Sequence, residues 1–153
     1  QELKRRHHAV EVLDGDLIRG ELNRGLGFSR EDRDENVRRI GWICSLLNRH
    51  DVIAVVPVVS PSASARAEAR ARLPHYVEVY MCCPLKILVA RDTKGLYRRA
   101  LSGEIANFTG VSDPYEPPIN PDVACHSDGR ETPVESAFKV LAFLQQHRLV
   151  SSH

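Results

Sequence analysis

The sequence predicts a three-layer α/β fold with a mostly parallel sheet and helices on both faces, and three observations point there. Short runs rich in β-branched residues alternate with segments of helical periodicity. The run from Val52 to Val59 is almost wholly apolar, which suits a strand buried on both faces. Polar residues with chemical potential gather where these runs end, and ligands of such sheets bind outside the carboxyl ends of the strands.

Val10 to Leu13 reads as a short strand that stops at the turn Asp14-Gly15-Asp16. Ser29 caps a helix with Asp32 in its first turn, and Val37, Ile40, Ile43, Cys44 and Leu47 carry the apolar spacing to about His50. Val52 to Val59 follows as a strand, weakened near its end by Pro57. Ser62 or Ser64 opens a helix rich in Arg, Ala and Glu to about Leu73, and Tyr76 to Cys82 forms the next strand. Pro84 starts a helix to about Arg91, and Gly95 to Leu101 forms another. Residues 103–122 hold four prolines and two glycines without periodicity, the composition of a functional loop or lid hinged at Gly103 and Gly110. Thr132 to His147 closes the chain as an amphipathic helix with Val134, Ala137, Phe138, Leu141 and Leu144 on one side.

Length and composition allow one domain: 153 residues suffice for a single core that buries about 70% of the unfolded chain's surface. A net charge of +1 gives no global basic field for nucleic acid, so any anion must be held locally. Four cysteines without C-x-x-C spacing argue against zinc and against a secreted disulfide scaffold, and place the chain in a reducing cytoplasm. Cys82 and Cys83 read as structural thiols, and the seven histidines as surface residues lacking ligand spacing. No apolar run approaches the ~18 residues of a membrane span.

From Val12 to Arg39 two carboxylates lie among arginines, the charge layout of phosphoryl transfer. Asp16 is the better acceptor for a reacting hydroxyl and Asp14 suits a metal-linked or water-linked role, although spacing alone does not assign them. Arg19, Arg33 and Arg38 are candidates for an anion, since a guanidinium fork matches phosphate or sulfate oxygens. Asn36, three residues after Arg33, shares its helix side and could read a nucleotide by hydrogen bonds. Ser60 lies after the second strand. Phe28 and Phe108 sit in glycine-flanked loops, either packed back on a core or as flat faces for a base.

The segments LDGD..R, LGFS, DR.EN.RR, SP, RD.KGLY and NFTG, in this order and at these spacings, resemble the adenosine 5'-phosphosulfate (APS) kinases. The similarity runs from about Val10 to the final helix, and the joint occurrence of KGLY and NFTG is its most specific part. It implies a P-loop kinase fold that uses ATP with Mg2+ to phosphorylate the 3'-hydroxyl of APS. It places Asp14, Asp16 and Lys94 in catalysis, with Asp14 indirectly at the metal. It assigns Arg19, Phe28, Arg33, Asn36, Ser60, Lys94 and Phe108 to APS, and Arg91 and Asp92 to the ATP side. It further implies a homo-oligomer and fusion to, or association with, ATP sulfurylase.

The chain departs from the family pattern at Leu17, usually Asn, and at Cys82-Cys83, usually Asp-Thr. It also contains no G-x-x-x-x-G-K-[ST], so it lacks the amide cradle, lysine and hydroxyl of a phosphate loop. Gln1 to His8 reads as the tail of the helix after that loop, and the expectation is ~30 further residues upstream, the length of a strand, loop and helix. The alternatives are an inactive, regulatory nucleotide-binding domain, as in some fungal ATP sulfurylases, or another small P-loop kinase.

Overall fold

The computed structural model describes residues 1–151, which form two compact units: Gln1–Tyr76 with Ser151, and Val77–Val150. The first unit contains α1 (Glu2–Arg5), β1 (Val10–Val12), α2 (Gly15–Glu21), α3 (Arg30–Asn48), β2 (Ile53–Val55) and α4 (Ala63–Arg72). β1 and β2 pair in parallel, Val10 opposite Ile53 and Val12 opposite Val55, so α2 and α3 form the crossover. Ile18, Ile40 and Cys44 are its buried core, packed with Leu13, Ile43, Ala54, Val56, Val58 and Leu73. That set joins one stripe of α3 to both strands and to α2, which is what the helical spacing of Ile40, Ile43 and Cys44 requires.

Local chemistry explains the helix ends. Ser29 Oγ accepts from the Asp32 amide at 3.1 Å, as expected of the cap of α3. Ser62, and not Ser64, caps α4, and the two hydroxyls are 2.8 Å apart. The seven-residue α2 was not anticipated, because Gly15 and Gly20 break its apolar pattern; Asp14 nucleates it as N-cap.

The strand expected over Val52 to Val59 is limited to Ile53–Val55 and is not buried on both faces, since Val55 is 41% and Val59 63% exposed. Pro57 has no amide to donate, so the ladder ends before it, and a two-stranded ribbon leaves side chains uncovered.

The second unit contains β3 (Val79–Cys82), α5 (Leu85–Arg91), α6 (Leu96–Leu101), β4 (Val123–His126) and α7 (Pro133–Gln146). β3 and β4 pair in parallel, Val79 opposite Val123 and Cys82 opposite His126. β4 was missed: Val123 and Cys125 alternate into the interior, but the proline-rich run before them masks a four-residue pattern. Thr132 and Glu135 form a reciprocal capping box for α7, with Pro133 behind the cap.

The apolar side expected for α7 is only partly covered. Leu141 and Ser136 are buried, whereas Val134 and Phe138 are 63% and 60% exposed. The helix meets β4 through polar contacts instead: Cys125 Sγ donates to Ser136 O at 3.7 Å and Lys139 Nζ to Ala124 O at 2.7 Å. Residues 103–122 form no helix or strand. They are braced internally, for Phe108 O accepts the amides of Val111, Ser112 and Asp113, each at 3.0 Å. Tyr115 stacks on Tyr80 of β3 with centroids 6.3 Å apart.

Ile40→Ala removes the centre of the first unit's core and is expected to destabilise the fold by about 2–5 kcal/mol in urea unfolding. An unchanged midpoint would contradict the packing described.

Candidate functional site

In the first unit Asp14 and Asp16 follow β1, and Ser60 lies beyond β2. β1 leads directly into Asp14, whose Oδ1 accepts the amides of Asp16 at 2.9 Å and Leu17 at 3.1 Å. One carboxylate oxygen is thus committed to the start of α2, while Asp16 lies exposed in the first turn. Gly15 explains the intervening residue: a Cβ there would lie 3.2 Å from both Pro57 O and Val58 Cγ1. The turn after β1 therefore runs against the segment after β2, which reaches Ser60. Ser60 has φ 41°, a left-handed conformation costly for serine, and its carbonyl accepts from Arg66 Nη1 at 2.7 Å. Arg66 is 8% exposed, a buried cation that the sequence reading did not single out.

Two of the candidate arginines stand beside Phe28 and also hold backbone carbonyls. Arg19 Nη1 donates to Gly27 O at 2.6 Å, and its guanidinium lies 4.8 Å from the Phe28 ring centroid. Arg33 Nε donates to Phe28 O at 2.9 Å and its guanidinium lies 5.9 Å from the same ring. Phe28 is 59% exposed, so of its two readings the core one does not apply. An aromatic surface with two fixed cations within cation–π reach suits a flat anionic ligand. Arg38 belongs elsewhere: it pairs with Glu35 at 2.8 Å and with Glu68 of α4 at 3.1 Å, a helix-to-helix contact and not an anion site. Asn36 is buried on α3, its Oδ1 accepting from Asn23 Nδ2 at 2.8 Å.

In the second unit Asp92 accepts the amides of Tyr97 and Arg98, each at 2.9 Å, and so starts α6, whose Gly95 cap has no side chain. The Arg98 amide above all holds the Asp92 carboxyl below the usual range. Arg91 Nη1 donates to Ser127 Oγ at 3.2 Å, just past β4. Lys94 is exposed between α5 and α6. Phe108 is half-buried and meets Tyr97 edge-on, centroids 5.1 Å apart.

Cys83 Sγ donates to Ser127 O at 3.3 Å, and burial raises the Cys82 thiol, as suits structural cysteines. All four cysteines are free. Asp128 and Arg130 pair at 2.7 Å in the turn after Ser127, and Arg130 lowers the Asp128 carboxyl to about 2. Sequence reasoning missed Asn23, Arg66 and Ser127; only Ser127, a hydroxyl one residue past an alternating run, carried a local signal.

Comparison with known proteins bears on this geometry. The profile of the family described as Adenylylsulphate kinase matches residues 1–126. An adenylyl-sulfate kinase of Gloeothece citriformis is 51% identical over 146 residues, 95% of this chain and 82% of that protein. A probable bifunctional SAT/APS kinase of Sorangium cellulosum is 50% identical over 95% of this chain, which covers 25% of it. The structure of the Mycobacterium tuberculosis APS kinase in complex with AMPPNP and APS superposes with a TM-score of 0.89 at 38% identity, over 94% of this chain and 84% of that one.

Because the folded Asp128 carboxyl titrates at about 2, below the ~3.9 of an unfolded aspartate, its contribution is complete above pH ~4 and disappears as pH falls through 2. Carboxyl NMR titration should place Asp128 near 2 and return it to the ordinary range in Arg130→Ala; an ordinary value in the parent protein would contradict the pairing.

Proposed function

The chain belongs to the adenylylsulphate kinase family, and from that premise we propose that it transfers the terminal phosphoryl group of ATP to the 3'-hydroxyl of APS. The single observation that supports this most is the exposed Phe28 ring with Arg19 and Arg33 fixed beside it, in the same unit as Asp14 and Asp16 at the end of β1. The ring supplies a surface for the adenine and the guanidiniums meet the phosphosulfate. Ser60 and Asn36 contribute hydrogen bonds to the same substrate. In the second unit, the family resemblance makes Phe108 and Lys94 further candidates for APS and Arg91 and Asp92 candidates for ATP.

Asp16 accepts the hydrogen bond of the 3'-hydroxyl, orients it and takes its proton as the new oxygen–phosphorus bond forms and the bond from the γ-phosphorus to the bridging oxygen breaks, with ADP as the leaving group. Asp14 has one oxygen left for a water or ion, because the other holds α2. Among the described residues no group of three His, Cys, Asp or Glu side chains could hold a metal. The remaining Asp14 oxygen is a hard donor that would suit Mg2+, an ion most of whose ligands ATP oxygens and water would supply. Bound there, the ion would offset charge on the transferred group.

Residues 1–153 are read as one kinase domain in a homo-oligomer, with the 103–122 loop as a lid over the nucleotides. A joined SAT activity is supported by the Sorangium relative. Free thiols agree with a cytoplasmic location, and no helix among the described residues is long and apolar enough to cross a membrane.

Incubation of the natural full polypeptide with ATP and APS should yield 3'-phosphoadenosine 5'-phosphosulfate; APS binding without product would overturn the proposed transfer. APS should raise the melting temperature far more than AMP, which lacks the sulfate, and equal shifts would remove the sulfonucleotide assignment. Phe28→Ala and Phe108→Ala should each weaken APS by about 1–3 kcal/mol in calorimetry; an unaffected variant would take its ring out of the pocket.

A further inference from the structure

Asn23 falls in none of the segments that carry the family resemblance, yet it is 1% exposed, the most completely buried polar side chain among the described residues. It lies in a directed series of hydrogen bonds. Arg39 Nη1 donates to Asn23 Oδ1 at 3.5 Å, and Asn23 Nδ2 donates to Asn36 Oδ1 at 2.8 Å.

The direction is set at the arginine end, because a guanidinium has donors and no acceptor. Arg39 is itself anchored, its Nε 2.7 Å from Glu35 Oε1. With its oxygen drawn to Arg39, Asn23 can turn only its amide nitrogen toward Asn36, and only the Asn36 oxygen can meet it. A flipped Asn36 would bring two NH2 groups face to face at a buried position, with no acceptor between them. The polar atom that Asn36 keeps for another partner is therefore Nδ2, a donor. Asn36 retains 7% exposure on α3, the helix that also carries Arg33.

We propose that Asn23 is a positioning residue that, under the orientation imposed by Arg39, locks Asn36 as a hydrogen-bond donor toward the sulfonucleotide. The position then reads an acceptor of the ligand, an oxygen or an unprotonated ring nitrogen, and discriminates against a donor placed there. The inference rests on the reading of Asn36 as an APS contact.

Asn23→Asp tests it, since a carboxylate still accepts from Arg39 but faces Asn36 with a second acceptor. Asn36 must then turn its nitrogen inward and present its oxygen to the ligand. Calorimetry on the natural polypeptide should show APS binding weakened about ten-fold or more, with ATP affinity and melting temperature held, the scale of one mispaired hydrogen bond. On an Asn36→Ala background, Asn23→Asp should have no further effect on APS binding. Binding of APS at parental strength by Asn23→Asp, or the same loss on both backgrounds, would overturn the proposal while leaving the function intact. A parent protein that binds no APS would overturn the functional reading and this proposal together. Should Asn23→Asp not fold, the parent protein decides by NMR. Side-chain amide protons of Asn23 should be protected from exchange with and without APS, and those of Asn36 should become protected only when APS is bound. Asn36 amide protons indifferent to bound APS would refute the assignment.

Discussion

The N-terminal site depends on a close backbone approach at Gly15. A Cβ there would lie 3.2 Å from Pro57 O and Val58 Cγ1, so a larger residue would press the turn after β1 away from the segment after β2. That approach brings Asp14 and Asp16 to the stretch that ends at the strained Ser60, and the parallel register of β1 and β2 sets its direction. Two strand ends that a crossover separates in sequence become one locus.

Much of the charge among the candidate residues, in each unit, has two duties. Asp14 caps α2 and Asp92 starts α6, each spending carboxylate oxygens on backbone amides. Arg19 and Arg33 hold the carbonyls of Gly27 and Phe28 while standing beside the ring between them. Such double use orders the loop before a ligand arrives, which lowers the entropy lost on binding. It also means that replacing these residues disturbs the loop as well as the charge, so Phe28 is the cleaner probe of stacking.

Buried amides add a different kind of order. A neutral Asn can present either a donor or an acceptor, and nothing in its own structure selects between them. Asn23 and Arg39 make that selection for Asn36 through a buried hydrogen bond whose sense the guanidinium dictates. The polarity of a recognition site is thereby set by residues behind it.

By itself the sequence determined the alternation of strands and helices, the cap at Ser29, the closing helix from Thr132, the apolar stripe of α3 and the family, because these follow from local periodicity, cap chemistry and motif spacing. It did not reveal α2, whose glycines hide it, or β4, too short to announce a period, and it overestimated the strand before Pro57 and the buried side of α7. Nor could it tell that Arg38 serves Glu35 and Glu68 while Arg33 stands by Phe28, since arginines on neighbouring turns of α3 look alike until their partners are placed. Those partners, like the burial of Asn23 and Arg66, were decided by tertiary structure alone. Hydrogen-bond pairing and desolvation depend on which groups meet in space, and groups thirteen to thirty residues apart, as Asn23 is from Asn36 and Arg38 from Glu68, leave no trace in local sequence.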